Sequence, residues 1–248
     1  MSLIMFKKYQ GKFFCFSPPV MLATLLIEFS SAAYTLWRYK VSTIQRLSAA
    51  LLISLGTFQL AEYMICGGLG LTHIEWAQLG YGAITLLPAL GMHTIVTLAD
   101  KKKPLLVGAA YASCIGFLAA NIIGTSSFVA RECAANYAVF NISDGSLYLY
   151  MAYYYGWLAI GTVLAIYWGS QMPARRKALQ SMAFGYAAFV LPTIAFNILE
   201  PTSTRAIPSV MCGFAVIFAI TIVYAILPNS SEVRVSTDSI RERFQIGF

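Results

Sequence analysis

Seven blocks of about twenty or more mostly apolar residues run through this chain of 248. They fall at 17–38, 47–71, 76–99, 104–124, 147–169, 178–199 and 207–228. A helix crossing a hydrocarbon core of about 30 Å needs about 20 such residues. In lipid its backbone must satisfy its hydrogen bonds within the segment. The blocks are too long and too evenly apolar to be the alternating strands of a lipid-facing barrel. The expected fold class is all-α: a polytopic membrane protein, a seven-transmembrane-helix bundle in one domain (17–228). A short N-terminal arm (1–16) precedes it and a polar tail (229–248) follows. Charge supports the reading. Only 11% of residues are charged and 58% are hydrophobic, whereas soluble domains carry about 25% charged residues.

The net charge of +7 reads as a topology signal, not as a nucleic-acid surface. With the N-terminus outside, the cytoplasmic loops and tail hold Arg38, Lys40, Arg46, Lys101, Lys102, Lys103, Arg175, Arg176, Lys177, Arg234, Arg241 and Arg243. The outer side holds Lys7, Lys8, Lys12, Arg131 and Arg205, a split of 12 to 5. Three successive basic loops outweigh the three lysines before the first block, so the C-terminus is expected in the cytoplasm. The basic start and apolar run also resemble a signal peptide, but Glu28 within the run and Arg38 beyond it favour a retained helix.

The segment 125–146 is the one sizeable loop expected, on the outer side. It leads into Tyr148, Tyr150, Tyr153, Tyr154, Tyr155 and Trp157. Such residues favour the membrane–water interface, where an amphipathic ring keeps its polar end wet; the sharper alternative is an aromatic wall for a ligand. Pro88 and Pro192 interrupt two helices and free carbonyls there. Gly108 and Ala112 form a small-xxx-small pair suited to helix contact. The end of the tail places Ile240 and Phe244 on one helical face that could rest on the inner leaflet.

Ionisable residues inside a bilayer are costly and mark functional positions. Glu28 lies well inside the first block. Glu62 lies in the outer half of the second, with Gln59 one turn earlier on the same face. Ser31 shares the face of Glu28. A short loop makes the first two helices antiparallel neighbours, so Glu28 is expected to face Gln59 and Glu62. Asn121, Asn197 and Glu200 add polar groups at similar depth. Together these suggest an outward-facing polar cavity for a small solute or cation. The structural alternative is a network of buried hydrogen bonds that holds helices together.

His93 is expected to be a packed histidine, since His73 lies at the opposite end and the two cannot form a zinc site. No metal and no cofactor are expected. Cys15, Cys66 and Cys133 map to the outer side, where one disulfide from Cys133 could form if that side is oxidising. Asn141-Ile-Ser143 is a glycosylation sequon, relevant only in a secretory pathway. The last block has no lysine for a retinal Schiff base. The chain contains no Gly-rich phosphate loop, HExxH or GxSxG motif.

Cys15-Phe16-Ser17 before the first block and Gln59-Leu60-Ala61-Glu62 in the second carry a likeness. In order and spacing over roughly the first hundred residues, they resemble an uncharacterised bacterial seven-helix integral membrane family, a domain of unknown function. That family opens with Cys-Phe-Ser and carries Gln-x-x-Glu in helix 2; Pro88 corresponds to a helix 3 proline. This chain departs in the fourteen residues before Cys15, and in Tyr63 where the family has glycine. The resemblance implies a membrane location, a bacterial inner membrane being the natural one, and a seven-helix bundle. It implies no activity, but groups Cys15, Ser17, Gln59 and Glu62.

Three functions compete. The favoured one is binding or transport of a small polar solute or cation at Glu28 and Glu62. The second is a membrane-embedded enzyme acting on a lipid substrate, with Cys15 or Ser17 as nucleophile and Glu62 as base. The third is a sensory or scaffold subunit. The bilayer itself is the one certain partner; a homo-oligomer is compatible with all three, and nucleic acid with none.

Overall fold

The structure, a computed structural model, describes residues 18–67, 70–123, 129–133, 138–141, 144–199 and 207–230. Among them are seven long helices: α1 (Pro18–Arg38), α2 (Thr43–Gly67), α3 (His73–Leu98), α4 (Pro104–Ile123), α5 (Asp144–Gln171), α6 (Arg176–Leu199) and α7. Helix α7 runs from Ile207 to Thr221 and continues through a π-helical stretch, Ile222–Ile226, into Leu227–Asn229. Pro228 has no N–H for the carbonyl four residues back, and the widened turn precedes it.

Five helices contain stretches long and apolar enough to cross a membrane: Thr43–Ile65, Ile74–Leu98, Pro104–Asn121, Tyr148–Gln171 and, from the turn before α6, Pro173–Ala195. This is the build of an integral membrane protein. Helix α1 also spans 21 residues, but Glu28, Arg38 and the serines and threonines Thr24, Ser30, Ser31 and Thr35 dilute it.

Two helices start earlier than their hydropathy suggests, because caps set the boundaries. Ser42 accepts a hydrogen bond from the Gln45 N–H at 3.1 Å, so α2 begins at Thr43 rather than 47. Thr72 and Glu75 form a reciprocal capping box, with Thr72 N–H donating to Glu75 Oε2 at 2.8 Å and Glu75 N–H to Thr72 Oγ1 at 3.3 Å, so α3 begins at His73 rather than 76.

Helices α2 and α3 form the buried centre. Helix α1 packs on α2; α4 and α5 pack on α3; α6 packs on α5, and α7 closes the bundle against α6, α1 and α2. The α1–α2 pair is antiparallel. Gln45 Nε2 donates to the carbonyls of Thr35 (3.4 Å) and Leu36 (3.3 Å) at one end. Further along, a Cβ on Gly56 would lie 3.2 Å from the Phe29 ring, so glycine permits that approach.

The sidedness is that of a membrane protein. Helix α1 buries Met21, Thr24, Leu25, Glu28, Ala32 and Thr35, and exposes Leu22, Leu26, Ile27, Leu36 and Trp37. Its acid and both threonines point inward while most of its large apolar side chains face outward, the reverse of a helix on a soluble protein.

The segment expected as an irregular loop contains a β-hairpin. Strands β1 (Val129–Cys133) and β2 (Ala138–Asn141) pair antiparallel, Val129 opposite Asn141 and Cys133 opposite Ala138, with a bulge between Ala130 and Glu132. The hairpin rests on α2 and α3. Pairing satisfies backbone groups that an irregular chain would leave open.

Candidate functional site

The structure brings Glu28 and Glu62 together. Glu28 belongs to the inward stripe of α1 and has no exposed surface; Glu62, on α2, is 1% exposed. The two side chains interact electrostatically. Gln59, one turn before Glu62, is also buried. Neither oxygen of Glu28 has a hydrogen-bond partner among the described residues. A polar network whose purpose is to join helices would satisfy its members, since an unsatisfied buried group costs about 1–3 kcal/mol. The arrangement is also sealed, so a solute reaches it only if the helices around it move apart.

The other sequence candidates fall differently. Ser31 is half-buried at the edge of the α1 stripe. Asn121 is buried, and its Oδ1 has no hydrogen-bond partner among the described residues, but it lies on α4, which packs on α3 and α5. Asn197 lies near the end of α6; its side chain is outside the described residues, as are Cys15, Ser17, Glu200 and the tail with Ile240 and Phe244. The side chains of Cys66 and Cys133 are outside them too, so the disulfide question falls there. No group of three or more His, Cys, Asp and Glu side chains suited to a metal occurs among the described residues. His93 packs edge-on to Tyr111, with Nδ1 3.2 Å from its hydroxyl.

The aromatic run divides. Tyr148 is exposed, whereas Tyr150, Tyr153 and Tyr154 are buried. Tyr150 and Tyr153 converge on the turn of α3 that precedes Pro88, and Tyr154 packs beside Tyr150. Pro88 cannot donate to the Ile84 carbonyl, and its ring opens that turn. The next carbonyl, of Thr85, accepts from the Tyr153 hydroxyl at 2.7 Å and from the Cys114 thiol at 3.4 Å. The Thr85 hydroxyl donates to the Tyr81 carbonyl at 2.7 Å. Its single proton is then used, so Tyr150, 3.1 Å away, donates to it. Phe117 packs against Tyr150 and Tyr153, and Trp157 Nε1 donates to Ser113 Oγ at 3.0 Å. Sequence reasoning missed this junction. Its only local signal was a proline three residues after a threonine.

The fold is thus that of a helical integral membrane protein with two buried acids on adjacent helices. No protein-family model matches the chain, and no curated protein or solved structure matches it either.

Proposed function

We propose that the chain is a seven-span membrane protein, N-terminus outside and C-terminus cytoplasmic, that binds or moves a small polar solute or cation at Glu28 and Glu62. The observation that carries this reading is the burial of two carboxyl groups on adjacent helices, near enough to interact electrostatically, one of them with no hydrogen bond among the described residues. Carboxyl groups kept inside a bundle at such cost have a use for their charge. The basic residues of the α1–α2, α3–α4 and α5–α6 connections support the orientation. So does the resemblance in Cys15-Phe16-Ser17 and Gln59-x-x-Glu62.

The test uses proteoliposomes and the double variant Glu28→Gln/Glu62→Gln, purified beside the parent chain. Panels of alkali cations, protons and small polar solutes are screened for uptake and for thermal stabilisation. A ligand that stabilises or crosses with the parent chain and not with the variant supports the proposal. If both proteins respond alike to every member of the panel, the acid pair is structural. Single cysteines at Leu71 and at Lys102, in a background with the native cysteines replaced, check the orientation: an impermeant thiol reagent should label Leu71→Cys in intact cells and Lys102→Cys only after the membrane is opened.

A further inference from the structure

The basic end of the bundle holds a second feature, separate from the acid pair. Helices α4 and α5 touch in the half marked by the Trp157–Ser113 hydrogen bond and by Phe117 against Tyr150 and Tyr153. In the other half no hydrogen bond or ring contact joins them among the described residues. Counting along the contact face of α5 from Trp157 gives Ile160, Leu164 and Tyr167; counting back along α4 from Ser113 gives Ala109 and Leu106. Ile160 and Tyr167 are about half exposed, at 45% and 55%. Ala109 is exposed, and Leu106 and Leu164 are half-buried against the core. The partial exposure of these apolar side chains marks the seam between the two helices as a shallow apolar groove running toward the α3–α4 and α5–α6 connections.

Those connections are tied together. Arg175 donates to the Leu98 carbonyl at 2.9 Å and pairs with Asp100 at 3.1 Å. The tie places Lys101, Lys102 and Lys103, which precede α4, beside Arg176 and Lys177, which open α6. The last four of these cations are exposed. Asp100 is the one acid in either connection, and Arg175 neutralises it.

We infer that this groove and its cationic mouth bind an anionic phospholipid, the acyl chain lying along Leu106, Ala109, Ile160, Leu164 and Tyr167 and the phosphate against Lys101–Lys103, Arg176 and Lys177. Charge complementarity chooses the occupant. A groove that faces lipid is filled by acyl chains of any kind, but five cations at one end select a negative headgroup. The inference rests on the membrane reading of the fold and is independent of Glu28 and Glu62.

The test is native mass spectrometry of the protein released from nanodiscs containing equal parts phosphatidylcholine and phosphatidylglycerol. The parent chain is expected to retain phosphatidylglycerol preferentially. The variant Lys101→Gln/Lys102→Gln/Lys103→Gln is expected to lose that preference by about tenfold or more at low salt, and added salt should shrink the difference. Ala109→Phe, which fills the groove and leaves every charge in place, should also displace the lipid. Lys40→Gln/Arg46→Gln, at the same end but on other helices, should change retention little. Equal loss in the two charge variants would show general surface attraction and overturn the site. So would unchanged retention in Ala109→Phe. Full competition by inorganic phosphate would reduce the site to an anion patch without a lipid groove.

Discussion

Glu28 on α1 and Glu62 on α2 are both buried inside the bundle, near enough to interact electrostatically, and Glu28 has no hydrogen bond there among the described residues. A carboxyl group in that position reduces stability unless it is used. Replacing it with an apolar side chain of similar length, Glu28→Met, is expected to raise the thermal unfolding midpoint in detergent, by the equivalent of about 1–3 kcal/mol. A lower midpoint would show that the group holds the helices together and would turn the acid pair into a structural feature.

Gly91 allows α6 to approach α3. A Cβ at this position would fall on the Tyr186 hydroxyl, and the ring carbon behind it would be 2.9 Å away. Gly91→Ala is expected to destabilise by about 1–3 kcal/mol, the usual range for overpacking. Adding Tyr186→Phe removes the worst clash and should restore part of the loss. Thermal unfolding of the two single variants and the double variant reads the recovery; strict additivity would count against the contact.

The carbonyl and hydroxyl of Thr85 join α3, α4 and α5 one turn before Pro88. Tyr153→Phe removes one donor to the carbonyl, and Thr85→Val removes the acceptor of Tyr150. Each is expected to cost about 0.6–1.7 kcal/mol, the range for polar contacts inside membrane bundles. The double variant should differ from the sum of the singles, since both act on one junction.

Arg175 makes two contacts of unequal worth. Its ion pair with Asp100 is exposed, and such pairs contribute about 0–1 kcal/mol. Its hydrogen bond to the Leu98 carbonyl satisfies a group at the end of α3. Arg175→Ala should therefore lower stability more than Asp100→Asn, which keeps a residue tolerant of the positive φ of 52° found there. Unfolding midpoints of the two variants, compared at low and high salt, check the order.

How much of this was legible in the sequence differs residue by residue. The membrane helices were, because hydropathy over twenty residues is a local property. The boundaries of α2 and α3 could have been read more closely, since Ser42-x-x-Gln45 and Thr72-x-x-Glu75 are capping patterns and lie in plain order along the chain. That Glu28 and Glu62 sit on neighbouring helices followed from the short connection between them. That both are buried and interact, while Asn121 lies on α4 against α3 and α5, depends on how each helix is rotated about its axis. Packing against non-adjacent segments sets that rotation.

The same distinction explains the tyrosines. Composition alone assigns Tyr148, Tyr150, Tyr153 and Tyr154 to the interface, and spacing cannot say which will face Thr85. By itself the sequence determined the class of protein, the approximate spans and the charged end, because each depends on the solvent a segment can tolerate. Tertiary structure alone decided the hairpin of β1 and β2, the Thr85 junction and the groove between α4 and α5. Each of these is made by residues far apart in the chain, whose partners exist only once the helices have packed.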